Sequence, residues 1–300
     1  MLLKQRVAGG PNLLAIVQDY ISLTKPKIIS LLLVTALGGM FLAQQGIPSG
    51  QLMLVVLVGG TLASGGANAL NHFLERQSDQ KMLRTRQRPV ASQRIMAWQA
   101  LTFGVVLNGI AFGVLAAWAN VLSAGLTLGA TVFYVLVYTA YLKRRTPQNI
   151  VIGGAAGAIP PVVGWAAVTG GLDLPALYLF AIVFFWTPAH FWALALLIRR
   201  DYARAEIPML PVVRGVRETT WNILLYSFLV VALTMAFFTT RAVDWLYLSI
   251  AAPLGAGLIY LALKLWRDEQ ASRAKSAYLY SLLYLAGLFT AIMLDSTIAI

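Results

Sequence analysis

The sequence predicts an all-α polytopic membrane protein with nine transmembrane helices. Three observations carry that expectation. First, 59% of the 300 residues are hydrophobic and 11% are charged, where a soluble domain carries about 25% charge. Mean hydropathy is +0.74. Second, nine apolar stretches reach the length a helix needs to cross a hydrocarbon core of about 30 Å. Third, the cations gather in alternate connections.

The spans are expected at approximately 28–43, 52–73, 97–117, 121–141, 149–168, 175–198, 221–239, 243–265 and 277–299. The third and fourth are divided only by Trp118-Ala119-Asn120. Hydrocarbon leaves an open sheet edge unsatisfied, and no ten-residue alternating strands occur, so each span is read as a helix. Gly59, Gly60, Gly65, Gly66, Gly153, Gly154 and Gly157 suit close helix contacts in lipid. Residues 1–27 read as an N-terminal arm, loose as far as Asp19, and 28–300 as one membrane domain. The arm has no continuous apolar core with a cleavage site, so no signal peptide is expected.

Charge tests the count. Twenty-two of the 23 basic residues fall in the arm and in the even-to-odd connections, leaving Arg241 alone on the other face. A wrong number of spans would scramble that bias. It places the N-terminus in the cytoplasm and the C-terminus outside. The net charge of +12 and pI of 10.1 therefore reflect membrane orientation, and no nucleic-acid partner is expected. Cysteine is absent and histidine occurs twice. Thiolate chemistry, disulfides, iron–sulfur clusters and multi-histidine metal cages are excluded.

Acidic residues are scarce, so their positions inform. Asn71, Glu75 and Asp79 are spaced i, i+4, i+8. On a helix they advance 40° per step and share one face over about 12 Å. Such a stripe of oxygen donors suits a hard cation such as Mg²⁺, which proteins usually share with phosphates. Arg84 and Arg88 follow, beside Lys81 and Arg86. Guanidinium forks match phosphate oxygens. Mixed charges at a helix end also serve orientation alone, but an amide and two carboxylates on one face inside the last turns of a span ask for more.

A second loop, Arg199 to Val212, matches the first at a shift of 122: Asp79 onto Asp201, Pro89 onto Pro211, Val90 onto Val212. Four spans separate the two, as in a duplicated unit. Asp201, and with it Glu206, are candidates for a second cation; the plainer reading is pairing with Arg199, Arg200 or Arg204. Lys143, at the end of the fourth span, is either a phosphate contact or a membrane anchor. His190 lies within the sixth span, two residues after Pro188. It could ligate haem iron through one ring nitrogen or bond across helices. His72 falls off the stripe and reads as packing.

The run Asn71-x3-Glu75-x3-Asp79-x2-Met82-x-Arg84-Thr85-x2-Arg88-Pro89 resembles the signature of the protohaem IX farnesyltransferase (haem O synthase) family, within the intramembrane polyprenyltransferases. Further blocks agree: Thr24-Lys25-Pro26, Tyr138-Thr139-x2-Leu142-Lys143-Arg144-x-Thr146, Gly153 to Pro161, Pro188-x-His190-Phe191-Trp192 and Pro208-Met209-Leu210-Pro211. Glu75 stands where relatives acting on quinone head groups typically carry Asp. The second motif of the superfamily is often Asp-x3-Asp; here Asp201 is followed at position 205 by alanine.

The resemblance implies nine helices around a central cavity capped by cytoplasmic loops. It implies farnesyl diphosphate and haem B as substrates, haem O as product, Mg²⁺ as cofactor, and a place in the bacterial inner membrane. Asn71, Glu75, Asp79 and Asp201 would hold Mg²⁺-diphosphate. Arg84, Arg88 and Lys143 would hold diphosphate oxygens, and His190 would orient haem. Contacts with terminal oxidase assembly factors or a haem A synthase would follow. The residues alone leave open a prenyltransferase for a quinone precursor or another aromatic ring, a secondary transporter, and a non-catalytic haem-binding partner.

Overall fold

The computed structural model describes residues 13–298. Among these the chain is helical throughout, with no strand. Nine helices are long and apolar enough to cross a membrane, and the chain is an integral membrane protein.

The helices are α1 (Leu13–Thr24), α2 (Pro26–Gln44), α3 (Gly50–Lys81), α4 (Ala97–Trp118), α5 (Val121–Val132), α6 (Asn149–Gly157), α7 (Ile159–Thr169), α8 (Leu174–Leu197), α9 (Arg199–Arg204), α10 (Leu210–Val213), α11 (Gly215–Phe238), α12 (Trp245–Asp268) and α13 (Ala271–Ile298). All nine expected spans are present; the second runs eight residues further than expected, and the seventh and ninth begin six residues earlier. The third and fourth part at Ala119, where Asn120 caps α5 by accepting from Ser123 N–H at 2.8 Å.

Three local departures matter. Residues 13–24 form a helix, although the arm is expected to be loose as far as Asp19; residues 1–12 lie outside the described part. Leu23 is fully buried, Tyr20 packs edge-on to Phe103 at 5.0 Å, and Asp19 pairs with Arg94 at 2.9 Å. Leu13, Val17 and Ile21 share the exposed face of α1, the shape of a helix lying at an interface. The fifth span is two helices meeting at Ala158, because Pro160 and Pro161 donate no backbone hydrogen bonds. The fourth span continues beyond α5 as a π-helical stretch, Phe133–Tyr141. That wider winding changes which side chains face inward.

Packing divides by depth. One buried cluster joins α8, α11, α12 and α13 through Trp186, Phe237, Tyr247, Tyr284 and Phe289. A second gathers the loops of one end through Met82, Tyr138, Trp192, Tyr202 and Met209. At the other end the buried Asp295 accepts the N–H groups of Asp244 (2.7 Å) and Tyr247 (2.9 Å). A carboxylate of α13 thus satisfies the open first turn of α12.

Helices α2 and α7 meet backbone to backbone. A Cβ on Gly39 would stand 2.0 Å from the Pro161 carbonyl oxygen, and one on Gly164 would stand 1.9 Å from that of Ala36. The expected glycine contacts are uneven: Gly66 faces the Gly104 carbonyl, while Gly157 has open space.

Candidate active site

Helix α3 continues to Lys81, about two turns past the expected end of its span, so the Asn71–Glu75–Asp79 stripe stays helical. All three are buried, at 2%, 4% and 1% exposure. Buried carboxylates and amides at that depth require partners, and each of the three meets a basic side chain. Lys143 Nζ donates to Glu75 Oε1. Arg88 Nη1 donates to both Asp79 oxygens at 2.9 Å. Lys25 Nζ donates to Asn71 Oδ1 at 2.9 Å. The Asn71 amide also donates to Thr139 Oγ1 at 3.2 Å.

Local structure sets these cations. Lys143 follows the π-helical stretch, and the extra winding delivers both Thr139 and Lys143 to α3. Arg88 sits in the turns after α3, where Thr85 Oγ1 donates to the Asp79 carbonyl at 3.0 Å. Lys25 joins α1 to α2 in the left-handed region, φ 54°, a conformation an L side chain adopts at a cost. Proline follows it, which disfavours the right-handed helical alternative. The bend brings its ammonium to Asn71. Burial, then the Arg88 charge beside it, pull the Lys25 ammonium down to about 7, with Glu75 and Asp79 opposing.

Lys143 and Arg88 balance the two carboxylates, and Lys25, which faces the neutral Asn71 amide, adds positive charge whenever it holds its proton. The unit suits an anion. The oxygen-only donors suit a hard divalent ion. Among the described residues no group of three or more His, Cys, Asp or Glu could hold a metal by itself. A cation here would complete its shell with the ligand's oxygens.

The other expected residues fall differently. Arg84 is exposed and contributes its backbone N–H, not its guanidinium, to the interior of the loops. Asp201 lies opposite, its two oxygens accepting from Leu83 N–H and Arg84 N–H at 3.3 Å each. Its ion pair is with Arg204 at 3.7 Å. Glu206 pairs with Lys81 at 3.6 Å, both well exposed. Asp201 and Glu206 thus both tie the second loop to the first. His190 lies apart, in a ring stack between α8 and α13. His72 is buried, and neither ring nitrogen has a hydrogen-bond partner. Lys25 is the site residue that the reading of charge alone assigns to orientation; its place directly before Pro26 and the first span is the signal.

A family model for the UbiA prenyltransferase family matches residues 32–288. A protein of Roseiflexus castenholzii named protoheme IX farnesyltransferase is 50% identical over 290 residues, which are 97% of this chain and 54% of that protein. The chain spans about half the length of that relative and of a Chloroflexus aurantiacus one at 48% identity. A Gloeobacter violaceus protein of the same name is 47% identical over 98% of this chain and 97% of its own. Among solved structures, a digeranylgeranylglyceryl phosphate synthase superposes with TM-score 0.76 at 15% identity, over 93% of this chain and 98% of that one. A UbiA homologue of Archaeoglobus fulgidus bound to GPP and Mg²⁺ gives 0.64 at 19% identity, over 91% and 99%. These last two likenesses concern the fold.

Proposed function

The chain belongs to the UbiA prenyltransferase family, and from that premise we propose that it transfers farnesyl from farnesyl diphosphate to a vinyl group of haem B, giving haem O. One observation carries the diphosphate half: a buried row of oxygen donors on α3, each met by a cation from a different segment. The relatives named protoheme IX farnesyltransferase, at 47–50% identity, support the acceptor.

The residues divide the work by charge. Asn71, Glu75 and Asp79 would hold Mg²⁺ shared with the diphosphate, and the ion would supply Lewis-acid neutralisation of the leaving group. Lys25, Lys143 and Arg88, now occupied by the donors of α3, would turn to diphosphate oxygens. Once the diphosphate is bound, cations already placed on its oxygens stabilise the charge that develops as the C–O bond breaks. Arg84 would add a guanidinium from the loop above. Asp201 ties that loop to the second one through two backbone N–H groups, and its remaining lone pairs can meet a second cation.

The allylic C–O bond breaks with its electron pair going to diphosphate. The terminal vinyl carbon of haem gives its π electrons to the allylic carbon, forming the new C–C bond. Water adds to the remaining vinyl carbon and loses one proton, so the products are hydroxyethylfarnesyl haem, diphosphate and H⁺. The clustered rings of Tyr134 and Tyr138, stacked at 5.6 Å, offer π faces of the kind that stabilise an allylic cation. His190 would orient the acceptor.

The topology belongs to the same proposal: N-terminus and active site at the cytoplasmic face of a bacterial inner membrane, C-terminus outside, with oxidase-assembly proteins receiving the product. The basic connections support it.

The test is direct. Purified protein, Mg²⁺ and farnesyl diphosphate are incubated with haem B or with an aromatic acid, and products are weighed by mass spectrometry. Hydroxyethylfarnesyl haem is expected. Prenylation of the aromatic acid alone would overturn the acceptor.

A further inference from the structure

His190 on α8 stacks against two rings: Trp186, one turn earlier, at 4.3 Å and 16°, and Tyr278 of α13 at 4.9 Å and 29°. Its Nδ1 lies 2.7 Å from Ser281 Oγ. Ser281 is buried, and Trp186 Nε1 donates to its carbonyl at 2.9 Å. One serine therefore anchors both neighbours of the ring.

The proton positions follow from counting. A serine hydroxyl has one hydrogen. Ser281 Oγ lies 2.7 Å from the Tyr278 carbonyl oxygen, a contact that is attractive only if the hydroxyl donates. Oγ then has lone pairs alone for His190, so Nδ1 carries the proton and donates it. In the neutral ring Nε2 is left with a bare lone pair. Among the described residues nothing bonds to Nε2, and His190, unlike His72, is partly exposed.

A histidine that donates through one nitrogen to a fixed acceptor and presents the other unprotonated has the arrangement that metal-ligating histidines share. The outer hydrogen bond fixes the tautomer and raises donor strength. We propose that His190 Nε2 is the axial ligand of the haem iron in the acceptor, and that Ser281 is the positioning residue that keeps Nε2 unprotonated. The inference rests on haem being the acceptor. Binding the iron from one side would fix the macrocycle, and with it the vinyl group presented to the farnesyl carbon.

The experiment uses the full chain in detergent, titrated with haem B and with metal-free protoporphyrin IX, read by absorption and resonance Raman. Labelled farnesyl diphosphate binding is measured in parallel. Wild type is expected to show an iron–histidine signature and to prefer haem over the metal-free ring. His190→Ala is expected to lose the signature, recover it with added imidazole, and bind farnesyl diphosphate as wild type does. Ser281→Ala is expected to keep the signature while haem affinity falls about ten-fold or more, the range for loss of an outer hydrogen bond. An unchanged iron spectrum in His190→Ala, or unchanged haem affinity in Ser281→Ala, overturns the inference and leaves haem as acceptor. Wild type that binds no haem overturns the acceptor itself.

Discussion

The loops that follow the second and the sixth span match at a shift of 122 positions, yet they do opposite things. In the first, Glu75 and Asp79 are buried and each faces a cation from another segment. In the second, Asp201 spends its oxygens on backbone N–H groups of the first loop, and Glu206 is exposed beside Lys81. Position 205, where a second acid would complete the motif, is a buried alanine. Related positions in a repeat therefore need not share chemistry. Depth decides: a sealed carboxylate must have its charge answered, and an assembly of answered charges is a place where a charged ligand can substitute. A carboxylate at the rim can instead be a clasp.

The largest expected effect breaks that contrast if it fails. Asp79→Asn keeps the volume and removes the charge; haem O formation is expected to fall on the order of 10²–10³-fold, as for other preorganised charge partners. Thermal melting checks that the variant folds, since a buried pair broken on one side destabilises. Near-normal turnover would place the reaction elsewhere. Next, Lys25→Ala is expected to weaken farnesyl diphosphate binding about ten- to hundred-fold, the equivalent of a charged hydrogen bond of roughly 1.5–3 kcal/mol. Equilibrium binding of labelled diphosphate measures it, and an unchanged affinity would return Lys25 to the role of an orientation charge.

Asp201→Asn sharpens the comparison. It retains an acceptor for one amide, so a loss of only a few-fold to about ten-fold in kcat/KM is expected, in keeping with neutral hydrogen bonds of about 0.5–1.5 kcal/mol. A drop as deep as that of Asp79→Asn would mean that both loops bear metal. The smallest effect is at Glu206→Gln, where an exposed pair contributes within about 1 kcal/mol; melting temperature and turnover should both stay near wild type.

Much of this was legible in the sequence because two signals are strong in lipid. Apolar length marks each span, and the four-residue spacing of Asn71, Glu75 and Asp79 survives because α3 continues through them. The partners of the stripe were partly hidden. Lys143 meets Glu75 only because Phe133–Tyr141 winds as a π helix, and hydrogen-bond register leaves no mark on an apolar run. Lys25 depends on one left-handed backbone angle. Asp201 was read by analogy with Asp79, and nothing local to it reveals that its acceptors would face the backbone of Leu83 and Arg84. His190 offered two readings; the structure assigns the hydrogen bond across helices to Nδ1 and leaves Nε2 free.

The seam between Gly39 and Gly164 has a reach beyond its own location. It locks the axial register of α2, whose first residue is joined to Lys25; Gly39 lies about 21 Å along the helix from that lysine, at 1.5 Å per residue. A single methyl group at either glycine would push against a carbonyl that cannot yield, and α2 would have to slide or tilt. The ammonium at its far end would travel with it, like the tip of a lever. Inherited changes at this dry, chemically silent crossing would then read out as poor substrate capture, in a protein that still folds and still inserts.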